Sequence, residues 1–256
     1  MIELAKNELE TIRHLCRGRS ETVLLANIEG NLGRTWVDQK ENPEFTVIVA
    51  GDFAFLLGNV EVLNDLDNTL RSVLEECKGK IIVTDESSWV SILSEYYSDT
   101  FRRFKRYSFA KEPKSFQIEK LKENIKMIDT DFQIVRIDAR IYYRVLQDPF
   151  MADCCSFFSS LGEFMKHGIG FVIMKDNQIV TGASSYTYHE GSIEVTIGTH
   201  SLYRRKGLAL ACASRLILEC LDRSIYPNWD AANLESVALA EKLGYQMEKE
   251  YEVYSI

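Results

Sequence analysis

Three consecutive cations, Arg204, Arg205 and Lys206, stand directly before Gly207 in the stretch from Tyr203 to Ala211. Upstream, β-branched residues alternate through residues 192–200, a spacing that predicts a strand over Ile193–Thr199. Downstream, Leu208–Asp222 is rich in alanine and leucine and has no proline, which predicts a helix. The first turn of a helix carries unpaired backbone N–H groups and the positive end of the helix dipole, so it suits an anion. Gly207 has no Cβ and would let a phosphate approach the backbone closely. Cations at a helix start disfavour the helix itself, and that conflict favours an anionic ligand. Taken alone, the same residues also describe an ordinary solvated basic turn. Two proton-accepting groups lie just upstream: Glu194 in the strand and the imidazole of His200 at its end. On an alternating strand Glu194 could equally point outward, and a lone histidine at a strand end is commonly structural or exposed.

Arg204-x-x-Gly207-x-Ala209 resembles the pyrophosphate loop of the GNAT superfamily of acyl-CoA-dependent N-acyltransferases, whose pattern is Gln or Arg, two residues, Gly, one residue, Gly or Ala. A second segment, Trp229 to Ser236 and on to Leu243-Gly244-Tyr245, is similar to the family's later helix, which opens with Asn and closes in a Leu-Gly-aromatic turn. The resemblance covers roughly residues 130–256. It implies an α/β fold with a mixed β-sheet, splayed open after its central strand and flanked by helices. It further implies acetyl-CoA as acyl donor and a primary amine as acceptor. The backbones of Ile197 and Thr199 would then hold pantetheine. The amides from Arg205 through Lys206, Gly207, Leu208 and Ala209 to Leu210 would hold pyrophosphate beside Arg204, and Asn233 and Ser236 would touch the cofactor.

The chemistry implied is attack of a neutral amine on a thioester, which needs a proton acceptor, a group to steady the oxyanion and an acid for the thiolate. Glu194 is the first candidate base and His200 the second. Many family members carry a Tyr seven residues after the Asn, placed to protonate the thiolate, and this chain has Ala240 there. Water, Tyr245 or another tyrosine would replace it. The departure leaves room for an alternative, a non-catalytic acyl-CoA binder, and for a third reading, an interaction scaffold with no cofactor.

The chain has 256 residues and a net charge of −8, with lysines and arginines spread along it, which argues against nucleic acid as a main partner. An acidic balance steers cations and favours an amine such as a polyamine, an aminoglycoside or a protein lysine. The six cysteines show no C-x-x-C spacing and no metal-site pattern, so reduced buried thiols in a cytoplasmic protein are expected. No apolar run approaches the ~20 residues that span a bilayer, and the N-terminus has no apolar signal core.

Apolar spacing predicts a helix over Ile2–Cys16, loop over Arg34–Asn42, strands at Phe45–Ala50 and Phe53–Leu57, and a helix over Val60–Cys77 capped by Asn59. A strand at Lys80–Thr84, a helix at Ser87–Tyr97 and a strand at Phe101–Phe109 follow. In Arg102–Tyr107 cations and aromatics alternate, as in a strand with one wet face or a single-strand nucleic-acid binder. A helix at Ile118–Ile125 would connect two domains, an accessory α/β domain over residues 1–125 and an acetyl-CoA-binding catalytic domain over 126–256. The second is expected to hold strands at Phe132–Ile137, Phe171–Lys175 and Ile179–Tyr188, with helices at Ala139–Leu146, Cys155–Lys166 and, capped by Asp230, Ala232–Leu243. The order strand–helix–strand–helix–strand occurs in both halves, so the first half reads either as a degenerate GNAT-like repeat without a cofactor site or as a generic accessory domain. It could serve acceptor binding or formation of a homodimer.

Overall fold

A computed structural model describes residues 1–60 and 68–256. The chain divides into two compact units, Met1–Arg106 with Tyr251–Ile256, and Tyr107–Glu250.

In the first unit, β1 (Ile2–Glu3) is followed by a 3-10 helical stretch (Lys6–Cys16) and α1 (Thr22–Ile28). Then come β2 (Arg34–Val37), β3 (Phe45–Ala50), β4 (Phe53–Gly58), α2 (Asn68–Glu75), β5 (Ile81–Val83), α3 (Ser87–Tyr96) and β6 (Arg102–Phe109). Strands β1 to β4 are antiparallel neighbours, and β4 pairs parallel with β5 through Ala54↔Ile82. The parallel step is bridged by α2, whose Leu70, Val73 and Leu74 are buried against the sheet cluster of Val47, Leu56 and Ile82. The expected helix over Val60–Cys77 falls partly on residues 61–67, which lie outside the described residues.

The expected loop over Arg34–Asn42 is corrected: its first four residues form β2. Between β1 and β3 both backbone edges of β2 find partners, and Thr35, Trp36 and Val37 are buried. Pairing on two sides decides this stretch, and a pattern four residues long could not signal it.

The second unit contains the end of β6, α4 (Ile118–Lys126), β7 (Gln133–Arg136), α5 (Ala139–Gln147), α6 (Leu161–His167), β8 (Gly170–Lys175), β9 (Gln178–His189), β10 (Ser192–Thr199), α7 (Leu208–Asp222), β11 (Tyr226–Asn228), β12 (Asp230–Ala231), α8 (Leu234–Leu243) and the start of β13 (Met247–Ser255), whose end from Tyr251 on belongs to the first unit. Strands β7 to β10 are antiparallel neighbours and β10 pairs parallel with β11. The β8–β9 hairpin turns on Asp176 and Asn177, both at positive φ (48° and 60°), the hand that a two-residue turn requires. Helix α7 buries Leu208, Ala211, Cys212, Leu216, Ile217 and Cys220 against Phe171, Ile173, Ile193 and their neighbours. Its small residues let the helix lie close to the sheet.

Helix α6 begins at Leu161, not at Cys155 as its apolar residues suggest. Ser160 stands in extended conformation and its side chain accepts the Glu163 N–H at 3.2 Å, which fixes the N-terminus there. Residues 155–159 turn instead, and Phe158 packs edge-on against Phe164 at 5.1 Å.

Five strands in each sheet follow one order, β1 to β5 and β7 to β11: antiparallel neighbours, then a helix-bridged parallel step, β4–α2–β5 in one unit and β10–α7–β11 in the other. The first half thus repeats the second in strand order and direction. Each unit is completed by a strand from the other half of the sequence. The end of β13 pairs with β5 through Tyr254↔Ile82, and the end of β6 pairs with β12 through Ser108↔Asp230 and Tyr107↔Ala231. No helix among the described residues is long and apolar enough to cross a membrane.

Candidate active site

Strand β10 is paired on both sides at its start and on one side further along. With β9 the pairing runs from Ser192↔His189 to Thr199↔Thr181. With β11 it comprises Ser192↔Tyr226, Ile193↔Pro227 and Glu194↔Asn228, and stops. Beyond Trp229 the chain enters β12, which pairs with β6. The sheet therefore opens at Glu194. On the β11 edge, the Gly191 carbonyl accepts from the Tyr226 N–H at 2.8 Å and the Ile193 carbonyl accepts from Asn228 Nδ2 at 3.1 Å. Peptide groups alternate in direction along a strand, so those of Val195, Ile197 and Thr199 lie on this same edge, past the point where β11 leaves it. The Thr199 carbonyl accepts from Arg204 Nε at 3.2 Å.

The two faces of β10 differ. Ile193, Val195 and Ile197 pack in the cluster under α7. Alternation puts Glu194, Thr196 and Gly198 on the opposite face. There a Cβ on Gly198 would lie 3.1 Å from the Phe150 ring, and one on its cross-strand partner Gly182 2.9 Å from Cys154 Sγ. These two glycines let residues 150–154 lie directly on the sheet. The Phe150 ring sits 4.8 Å from that of His200, whose Nε2 meets Asp148 Oδ2 at 2.8 Å. The same end of β10 borders an open cleft of about 450 Å³ lined by Arg144, Asp148, Asn177, His200, Ser201 and Tyr203, among others.

After β10, Ser201–Tyr203 make one 3-10 turn and the cationic triplet follows, exposed. Arg205 (φ 62°) and Gly207 (φ 75°) both take left-handed conformations. Alternating hand of this kind is the backbone conformation that turns neighbouring N–H groups toward one side. Gly207 is the N-cap of α7 and supplies no side-chain acceptor to the first turn. A Cβ there would meet nothing within 4 Å, so glycine is required by its backbone angle and the space above the loop is open. Lys206 Nζ lies 5.3 Å from the centre of the Tyr203 ring. The N–H groups of Leu208, Ala209 and Leu210 belong to this turn, which has no side-chain cap.

Asn233 is the N-cap of α8: its Oδ1 accepts the Ser236 N–H at 2.9 Å. This corrects the expectation that Asp230 caps the helix, because β12 pairing holds Asp230 and Ala231 extended. Ser236 Oγ accepts the Trp229 indole N–H at 3.1 Å. Gly244 ends the helix at φ 110°. Ala240 is fully buried. Tyr245 is also buried, between Phe109, Phe116 and Trp229, and its hydroxyl donates to the Pro227 carbonyl at 2.7 Å. Burial pushes this hydroxyl well above the usual phenol range, reinforced by Tyr226, Cys220 and the Glu194 carboxylate. Of the residues expected at the site, Ile197, Thr199, His200 and Arg204 to Ala209 gather at the end of β10 and the start of α7. Glu194 marks the point where the sheet parts. Tyr245 lies in the core with its proton engaged.

Sequence reasoning passed over Phe150, Asp148 and Asn228. A glycine inside a strand, Gly198, is a signal of close approach and could have pointed to Phe150. Asn228 carries no local signal, since its role depends on which strand lies beside it.

A family model for GNAT acetyltransferase matches residues 13–254. The crystal structure of a GCN5-related N-acetyltransferase-like protein from Streptococcus suis is 33% identical, with a TM-score of 0.88 over 97% of this chain and 98% of that one. YdfB, an uncharacterized N-acetyltransferase of Bacillus subtilis, is 25% identical over 238 residues, 87% of this chain and 85% of that protein. A tandem GNAT protein from the clavulanic acid biosynthesis pathway, 9% identical, shares the fold with a TM-score of 0.58 over 99% of this chain.

Proposed function

Because the chain belongs to the GNAT acetyltransferase family, we propose that it transfers an acetyl group from acetyl-CoA to a primary amine by direct attack of the amine on the thioester. The observation that carries this reading is the opening of the sheet at Glu194, which leaves a strand edge leading straight into an uncapped, cation-flanked helix start. In this reading the peptide groups of Ile197 and Thr199 hold the pantetheine arm, and the amides of Arg205 to Leu210, with Arg204, hold the pyrophosphate. Asn233 and Ser236 line the cofactor from α8. Acetyl-CoA supplies an activated acyl group. Its amide-rich arm can complete a strand edge, and its phosphates match the charge of the loop.

Glu194 acts as the base. As the amine nitrogen bonds to the carbonyl carbon, one N–H proton passes to the carboxylate, the C–S bond breaks and the thiolate takes a proton from water. Tyr245 has no part in this scheme, since its hydroxyl already serves Pro227. His200, paired with Asp148, anchors the segment that carries Phe150. The acceptor is an amine drawn by the acidic chain as its cation, which gives one proton to solvent and reacts as the neutral primary amine. The buried, unpaired cysteines fit a reducing cytoplasm. One observation favours a second reading, an acyl-CoA binder without turnover: neither Ala240 nor the engaged Tyr245 offers an acid.

Calorimetric titration with acetyl-CoA, followed by a screen of primary amines for CoA release, tests both. Glu194→Gln is expected to keep acetyl-CoA affinity and to lose roughly 10²- to 10⁴-fold in turnover. Unchanged turnover would remove Glu194 as the base, and binding without any turnover would favour the second reading.

A further inference from the structure

We infer that Asn228 is a second residue that holds the acceptor amine, its Oδ1 taking the N–H that Glu194 does not remove. The inference rests on the acetyltransferase reading above.

Asn228 is the last residue of β11 and the cross-strand partner of Glu194 at the final paired position before the sheet opens. Direct partners in neighbouring strands project their side chains to one face, within about 5 Å of each other at Cβ. Asn228 is buried, and the orientation of its amide is determined by what surrounds it. Nδ2 donates to the Ile193 carbonyl at 3.1 Å and to Ser192 Oγ, and the Ser192 hydroxyl in turn donates to the Tyr226 carbonyl at 3.0 Å. A carbonyl can only accept, and the Ser192 proton is already spent on one, so both neighbours demand a donor from Asn228. The amide nitrogen must therefore face β10, and the oxygen must face the other way. Both Nδ2 protons are used within the strands. Among the described residues no donor reaches Oδ1.

A short chain of hydrogen bonds thus turns one acceptor oxygen away from the strands, on the residue paired with Glu194, where the sheet parts. A neutral primary amine has a lone pair and two N–H groups. The lone pair forms the C–N bond, one proton passes to Glu194, the C–S bond breaks and the departing thiolate is protonated by solvent. The second N–H remains on nitrogen throughout, and Asn228 Oδ1 holds it. A secondary amine has no N–H left for Asn228. The site is therefore built to prefer primary amines, and this preference distinguishes contact with the substrate from mere bracing of the strands.

The test uses the full chain with acetyl-CoA and two small acceptors that are neutral at pH 7.5, methoxyamine with two N–H groups and N,O-dimethylhydroxylamine with one. CoA release is measured over the uncatalysed background. Wild type is expected to favour methoxyamine. Asn228→Ala should lower kcat/KM for methoxyamine roughly 10- to 100-fold, the worth of a hydrogen bond to a group that carries charge in the transition state. It should leave N,O-dimethylhydroxylamine within a fewfold, so that the preference collapses. Asn228→Ser, whose short hydroxyl can satisfy the Ile193 carbonyl but reaches no further, should behave alike and covers the case in which the alanine variant fails to fold. Acetyl-CoA affinity should stay within about threefold in both. Equal losses for the two amines, or an unchanged preference, would overturn the proposal and leave the acetyltransferase reading standing. Acetyl-CoA binding without transfer to either amine by wild type would overturn that reading, and the proposal with it.

Discussion

Replacing Gly207 separates what its backbone angle requires from what a bound anion would require. Gly207 sits at φ 75° and a Cβ there meets no atom within 4 Å. Gly207→Ala therefore carries only the left-handed penalty, about 1–2 kcal/mol of folding stability, with no clash. Gly207→Asp carries a similar backbone penalty and adds one negative charge over the loop. With a phosphate about 5 Å from that carboxylate, Coulomb repulsion amounts to about 0.8 kcal/mol at water's dielectric and about 3 kcal/mol at an effective value near 20. The dissociation constant for acetyl-CoA should rise by roughly 4-fold to 250-fold relative to Gly207→Ala, and the gap between the two variants should narrow as salt is raised. Calorimetry at two ionic strengths measures the affinity, and urea unfolding of the same samples measures the backbone penalty. If Gly207→Asp binds acetyl-CoA as tightly as Gly207→Ala at low salt, no phosphate lies over this loop and the placement of the cofactor is wrong.

Two further outcomes concern the scaffold. Burial opposes ionisation of Glu219, but hydrogen bonds from Arg136, Arg223 and Arg215 overcome it and hold the carboxyl at about 2. A folded-state pKa below the unfolded one gives stability that is present above about pH 4.5 and lost as pH falls toward 2, on the order of 1 kcal/mol once solvent screening of the half-exposed arginines is counted. Urea midpoints taken from pH 7 to pH 3 should fall more steeply for wild type than for Glu219→Gln, and parallel curves would show that the cluster contributes nothing. Tyr245→Phe leaves the Pro227 carbonyl without its donor and should lower stability by about 1–3 kcal/mol while kcat changes less than twofold. A large fall in kcat at unchanged stability would return Tyr245 to the chemistry as an acid.

The strand, the cationic loop and the following helix were legible because each is a local pattern. Alternation marks β10, unbroken helix formers mark α7, and a glycine after three cations marks the turn between them. The forces that decide these features act within a few residues, so the letters suffice. The repeated order of elements was legible for the same reason, and β1 to β5 and β7 to β11 do run in one order. What long-range pairing decides was not legible. Arg34–Val37 is a strand because β1 and β3 flank it on both sides. Asp230 is extended because β6 claims it, which moves the cap of α8 to Asn233. Tyr245 is a core residue because Phe109 and Phe116, more than a hundred positions earlier, close over it. Glu194 is an ordinary strand residue by its neighbours in sequence, and only the departure of β11 after Asn228 puts it at the mouth of a gap. A sequence determines which segments can form a strand or a helix. Which strands become neighbours, and where two of them part, is set by burial and hydrogen bonding summed over the whole fold.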